Sequence, residues 1–90
     1  MKTRYHYRFK GQVQGVGFRW TARMLAEKLD LTGWVENMWD GSVEMEIQGD
    51  EQTIDRMIEG LQHGRYIEID DIERKQIPVI DKEHYFDVKH

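Results

Sequence analysis

Between residues 5 and 29 the apolar side chains change their spacing from two to about 3.6 across the stretch GQVQGVGFRW, residues 11–20. Before it, Tyr5, Tyr7 and Phe9 alternate with His6, Arg8 and Lys10, which predicts a half-buried strand. After it, Phe18, Ala22, Leu25, Ala26 and Leu29 recur on one face of a helix. A strand that turns directly into a helix needs a tight connection, and Gly15 and Gly17 supply the backbone freedom for one. Such a connection aims successive backbone N–H groups at a point just ahead of a helix N-terminus, where anions bind. Gly11 is expected to end the strand or to permit a close backbone approach.

The rest of the chain continues the alternation of strands and helices. Gly33, soon after Leu29, reads as the stop of the first helix. GWVENM predicts a strand over 33–38, WDG a turn over 39–41, and SVEMEIQG the returning strand over 42–49. In that strand Val43, Met45 and Ile47 point one way, and Ser42, Glu44, Glu46 and Gln48 the other. One face of the sheet is therefore expected to be wet. Asp50 reads as the N-cap of a second helix that carries Ile54, Met57, Ile58 and Leu61 on one face and stops near Gly64. A further strand is expected around Ile72–Ile77, and a short terminal one over YFDV, residues 85–88. The order predicts a single α+β domain over residues 1–90: a ferredoxin-like split βαβ sandwich, an antiparallel sheet with two helices on one face. This fold serves many functions, so function must be read from a site.

Charge narrows the partners. The chain has a formal net charge of −4, but residues 1–28 carry +6 and residues 29–90 carry −10. A basic segment holding the glycine-rich turn on an acidic molecule would concentrate a small anion, although an uneven scatter by chance explains the split equally well. The acidic remainder speaks against a nucleic acid, which would lie across much of a small domain. There is no cysteine, which excludes disulfide and thiol chemistry and fits a cytoplasmic setting. No apolar run approaches the roughly 20 residues that span a bilayer, and MKTRYHYRFK lacks a signal peptide's apolar stretch. The chain reads as a cytoplasmic monomer with no membrane partner. His6, His63, His84 and His90 show no paired metal-ligand spacing. The one serine, Ser42, opens a hairpin strand with no candidate base beside it.

Two residues break local rules. Arg19 falls in the first turn of a helix, where the macrodipole disfavours a cation by about 0.3–1 kcal/mol. The conflict disappears if a dianion sits at the turn, because arginine offers a forked, permanently charged donor; a solvated arginine is the alternative. The loop lacks the Gly-Lys-Ser/Thr ending of a Walker A motif and the spacing of a dinucleotide fingerprint, so it suits a phosphate-sized group without a nucleotide. Asn37 shares a strand face with Val35 near a strand end, where an amide needs hydrogen-bond partners. It either ties down the following turn or holds a water beside the anion.

On these residues the chain resembles the acylphosphatase family. GQVQGVGFRW matches the family's G-x-V-Q-G-V-x-F-R at every fixed position, and GWVENMWDGSVEMEIQG matches G-W-V-x-N followed by D-G-x-V-E, with the right separation. The resemblance covers residues 5 to about 62 and weakens over HGRYIEIDDIERKQI. It implies hydrolysis of a small-molecule acyl phosphate to a carboxylate and inorganic phosphate, with no metal or other cofactor. By the same resemblance, the backbone of Gln14, Gly15, Val16, Gly17 and Phe18 cradles the phosphate, Arg19 neutralises it, and Asn37 positions the attacking water. Trp39, two residues beyond, either packs over the hairpin or meets the acyl end of the substrate. A phosphate-binding regulatory module without catalysis is the alternative function. An RNA-binding module ranks last, because the third strand lacks the aromatic RNP pattern and exposes Glu44 and Glu46.

Overall fold

Seven elements follow one another in the computed structural model, which describes residues 1–90: β1 (Lys2–Gln12), α1 (Phe18–Lys28), β2 (Thr32–Asn37), β3 (Val43–Asp50), α2 (Glu51–Gln62), β4 (Glu68–Ile77) and β5 (Phe86–Lys89). The strands form one sheet in the order β4-β1-β3-β2-β5. Tyr5, Tyr7 and Phe9 of β1 and Val43, Met45 and Ile47 of β3 face the helices, where they meet Phe18, Ala22 and Ala26 of α1 and Ile54, Met57 and Leu61 of α2 in one buried cluster. This is the expected ferredoxin-like α+β arrangement, with both helices on one sheet face. Burying an aliphatic or aromatic side chain of this kind contributes about 1.5–3 kcal/mol, so the paired periodicities of two and 3.6 decide the layering.

The expected antiparallel pairing holds for β4, β1, β3 and β2, while β5 joins β2 in parallel and makes the sheet mixed. The reason lies on the face away from the helices. To pass from β4 at one edge to β5 at the other, residues 78–85 cross the end of β1 and β3. Gln48 of β3 pins that crossing by exchanging two 2.9 Å hydrogen bonds with the Ile80 backbone. Arg4 of β1, only 1% exposed, donates to Glu83 at 2.8 Å and to Glu46 at 3.0 Å. Burial would lower the Arg4 pKa, but these carboxylate bonds outweigh it and raise it. The face expected to be wet is thus only partly so: Gln48 and Ser42 are buried.

Two glycines do something other than punctuate. Gly33 does not stop α1; it lies in β2 at φ 145°, where a Cβ would come within 1.9 Å of the Glu46 carbonyl oxygen of the neighbouring strand. The helix ends instead through Asp30, at φ 60°. The Leu31 N–H donates to the Ala26 carbonyl at 2.8 Å and that of Asp30 to Glu27 at 3.3 Å, the two bonds of a Schellman motif. Gly11 does not end β1, but it does permit the close backbone approach that was its other expected role. It sits beside a bulge at which Lys10 pairs with Asp71 and Gly11 with Ile69, and a Cβ there would lie 2.3 Å from the Glu68 carbonyl oxygen. The bulge leaves Asp70 unpaired, so Ile69 and Ile72, three residues apart, both pack against the core. Asp50 takes the N-cap position of α2 as expected, with extended backbone but no side-chain capping bond.

Candidate active site

The loop between β1 and α1 is anchored at both ends by the core. Val13 is fully buried and Phe18 is 1% exposed, with the Phe18 ring centroid 5.0 Å from that of Phe9. Between these anchors Gly15 (φ 73°) and Gly17 (φ 79°) take left-handed conformations, which lets the chain reverse within four residues. No turn or loop bond is donated by the backbone N–H groups of residues 14–20 to another backbone carbonyl. Gly17 is the N-cap of α1, no side chain caps it, and no acidic residue lies in the first turn. The contrast with α2 is direct: that helix starts with Asp50 and carries Glu51 in its first turn. The positive end of the α1 dipole is therefore left uncompensated by the protein, and Arg19 adds a further positive charge to it.

Arg19 is held in place from the far end of the chain. Nη1 donates to the Lys89 carbonyl oxygen of β5 at 3.0 Å and lies 3.4 Å from His90 Nδ1, which leaves most of the guanidinium's five N–H donors free. Asn37 closes β2 opposite Val43. Its Oδ1 is buried and has no hydrogen-bond partner in the protein, so it does not tie down the turn. Gly15, Gly17, Phe18, Arg19 and Asn37 line one cleft of about 190 Å³, together with Val13 and Trp20. Of the residues expected at the cradle, the Gln14 and Val16 side chains turn elsewhere. Gln14 Nε2 donates to the Met38 and Ser42 carbonyls at 2.7 and 2.8 Å, and Val16 packs against the core.

The β2–β3 turn that follows Asn37 is braced by charge. Asp40 accepts hydrogen bonds from Ser42 Oγ at 2.6 Å and Ser42 N at 3.0 Å, and its other oxygen pairs with Arg8 of β1. The Ser42 hydroxyl and amide, followed by Arg8, hold the Asp40 carboxyl down to about 2. Trp39, expected either to pack over this hairpin or to meet the acyl end of a substrate, is 96% exposed, so it does not pack over the hairpin. Trp20 escaped notice in the sequence although it was legible: it falls off the Phe18–Ala22–Ala26 face, and the structure puts it on the cleft with 68% exposure. No three His, Cys, Asp or Glu side chains converge to hold a metal ion, and no helix is long and apolar enough to cross a membrane.

Known proteins match this arrangement along the whole chain. The Acylphosphatase family model matches residues 5–88, well past the motifs and through the segment where the resemblance weakened. An acylphosphatase of Clostridium beijerinckii is 39% identical over 88 residues, covering 97% of this chain and 98% of that one. The crystal structure of acylphosphatase from Bacillus subtilis superposes with a TM-score of 0.90 at 33% identity, covering both chains completely. The structure of an acylphosphatase from Coxiella burnetii gives 0.87 at 35% identity, over 98% of this chain and 93% of that one. Matched in motif, in fold and over nearly its full length, the chain belongs to the acylphosphatase family of hydrolases.

Proposed function

We propose that this chain hydrolyses acyl phosphates to a carboxylate and inorganic phosphate without a metal ion. In this reading the backbone of residues 14–18 and Arg19 hold the phosphoryl group, and Asn37 orients the attacking water. The observation that carries the proposal is the buried, unpartnered Oδ1 of Asn37 on the same cleft as Gly15, Gly17 and Arg19. A buried acceptor needs a donor. The phosphoryl group of an acyl phosphate dianion carries no hydrogen to donate, so binding it alone would leave Oδ1 unsatisfied, whereas a water both donates to Oδ1 and keeps a lone pair for phosphorus. This favours the enzyme over the regulatory module.

The chemistry asks little else of the protein. The water oxygen bonds to phosphorus as the bond from phosphorus to the acyl oxygen breaks, and the electron pair departs on the carboxylate. One water proton remains on the new P–OH and the other passes to a phosphoryl oxygen. The leaving group is the base of an acid with a pKa of about 4, so it departs without a general acid. Phosphoryl transfer runs through a loose transition state in which positioning and charge stabilisation dominate. The uncapped α1 N-terminus and the tethered guanidinium supply both from fixed positions. Every group in the scheme comes from one chain, so a monomer of 10.8 kDa suffices.

The test is hydrolysis of benzoyl phosphate in EDTA by wild type, Arg19→Ala and Asn37→Ala, followed by absorbance. Wild type should be active, and each variant should lose at least about 100-fold in kcat/KM, about 2.7 kcal/mol of transition-state stabilisation. A folded but inert wild type, or activity that returns only with added divalent metal, would contradict the proposal.

A further inference from the structure

We propose that the groove between α1 and the α2–β4 connection receives the acyl group of the substrate and favours bulky, apolar acyl groups; this rests on the hydrolase reading above. The groove measures about 460 Å³ and runs along Val16, Trp20, Met24 and Leu25 on one side and Tyr66 and Ile67 on the other. A volume of this order is what small-molecule sites occupy. Trp20, Met24 and Tyr66 are 68%, 43% and 65% exposed, a concentration of large apolar surface that marks a contact site when it is contiguous. Gly17 and Trp20 line both this groove and the cleft that holds Asn37 and Arg19, so the two adjoin at the cradle.

Direction supports the assignment. An in-line displacement puts the attacking and leaving oxygens on opposite sides of phosphorus. The cradle springs from the end of β1, which has β4 on one side and β3, then β2, on the other. Asn37, at the end of β2, stands on the second side; the groove's outer wall, residues 60–67 leading into β4, stands on the first. A water arriving from Asn37 therefore expels the carboxylate toward the groove. No Asp or Glu lines the groove, and its one permanent charge is Arg65, whose guanidinium lies 5.5 Å from the Tyr66 ring centroid, so an anionic substrate meets no repulsion there. Trp39, the other exposed aromatic near the site, lines neither the cleft nor the groove.

The experiment measures kcat and KM for acetyl phosphate and benzoyl phosphate with wild type, Met24→Gln, Tyr66→Ala, the double variant and Trp39→Ala. Inhibition by inorganic phosphate serves as the control for the cradle. Met24 and Tyr66 are exposed, so the variants should fold, which circular dichroism verifies. The double variant should lower the benzoyl-to-acetyl ratio of kcat/KM about 10-fold, chiefly through KM for benzoyl phosphate, with acetyl phosphate values within about twofold and phosphate inhibition unchanged. A wild type active on acetyl phosphate whose ratio ignores the groove variants, or whose ratio falls with Trp39→Ala instead, overturns this inference and leaves the hydrolase reading standing. A folded wild type inert toward both substrates overturns the two together.

Discussion

Removing the Gln14 side chain should cost activity and stability together, because that amide joins the two halves of the site. Its Nε2 donates to the carbonyls of Met38 and Ser42 at 2.7 and 2.8 Å and so locks the cradle loop to the hairpin whose first strand ends in Asn37. In Gln14→Ala both carbonyls keep another donor: Gly41 N reaches Met38 O at 3.2 Å and Met38 N reaches Ser42 O at 2.8 Å. No acceptor is orphaned, so the loss is that of two ordinary hydrogen bonds, about 1–3 kcal/mol in all. With about 4–8 °C per kcal/mol in a domain of this size, Tm should fall by roughly 10 °C. A displacement of Asn37 from the cradle by about 1 Å should lower kcat/KM by 10- to 100-fold. Gln14→Glu sharpens the test. It keeps the length of the side chain but turns a donor into a charged acceptor facing two carbonyl oxygens, so it should be at least as damaging as alanine. The assays are thermal unfolding by circular dichroism and acyl phosphate hydrolysis below KM. A Gln14→Glu protein as stable as wild type would refute the bridging role. A Gln14→Ala protein that loses stability but not activity would show that the bridge does not position Asn37.

Two further expectations concern stability alone. Asp30 holds φ 60° at the C-terminal end of α1, where its charge also opposes the helix dipole, so Asp30→Gly should stabilise the fold by about 0.5–1 kcal/mol in urea unfolding; a loss of stability would mean that the left-handed residue carries no strain. Asp40 has a carboxyl pKa depressed from 3.8 to about 2 in the folded chain, so its contribution is present above the ordinary value and disappears as pH falls toward 2. Wild type should therefore be more stable than Asp40→Asn near neutral pH, with the gap closing between about pH 4 and 2, and a gap independent of pH would contradict the Ser42 and Arg8 contacts as its source.

How much of this was legible depends on how far apart the interacting residues lie. The switch from period two to 3.6 across the glycines displayed β1 and α1, and the same two periods displayed β3 and α2, because each of the four buries one face locally. β4 was half hidden because the bulge at Asp70 sets Ile69 and Ile72 three residues apart and breaks the alternation. The parallel edge made by β5 depends on Arg4 and Gln48 gripping residues 80–83 across the sheet, a contact no local pattern announces. Gly33 misled because a glycine soon after a helix reads as a stop, whereas Asp30 had filled that position and Gly33 answered to the Glu46 carbonyl of another strand. At the candidate site, Arg19 and Asn37 were visible as residues in conflict with their surroundings, the kind of local inconsistency that a functional site is expected to carry. The Gln14 bridge and the Lys89 tether span 24 to 70 residues of chain, and only the fold brings those partners together.

The most direct test of the central account separates holding the phosphoryl group from directing the water. Competitive inhibition by inorganic phosphate, measured with wild type, Arg19→Ala and Asn37→Ala, reads the first; kcat for benzoyl phosphate reads the second. If the cradle and Arg19 bind while Asn37 orients the nucleophile, Arg19→Ala should weaken phosphate inhibition at least about 10-fold, and Asn37→Ala should leave it unchanged while lowering kcat about 100-fold or more. Phosphate inhibition that weakens equally in both variants, or that survives intact in Arg19→Ala, would contradict that division of roles.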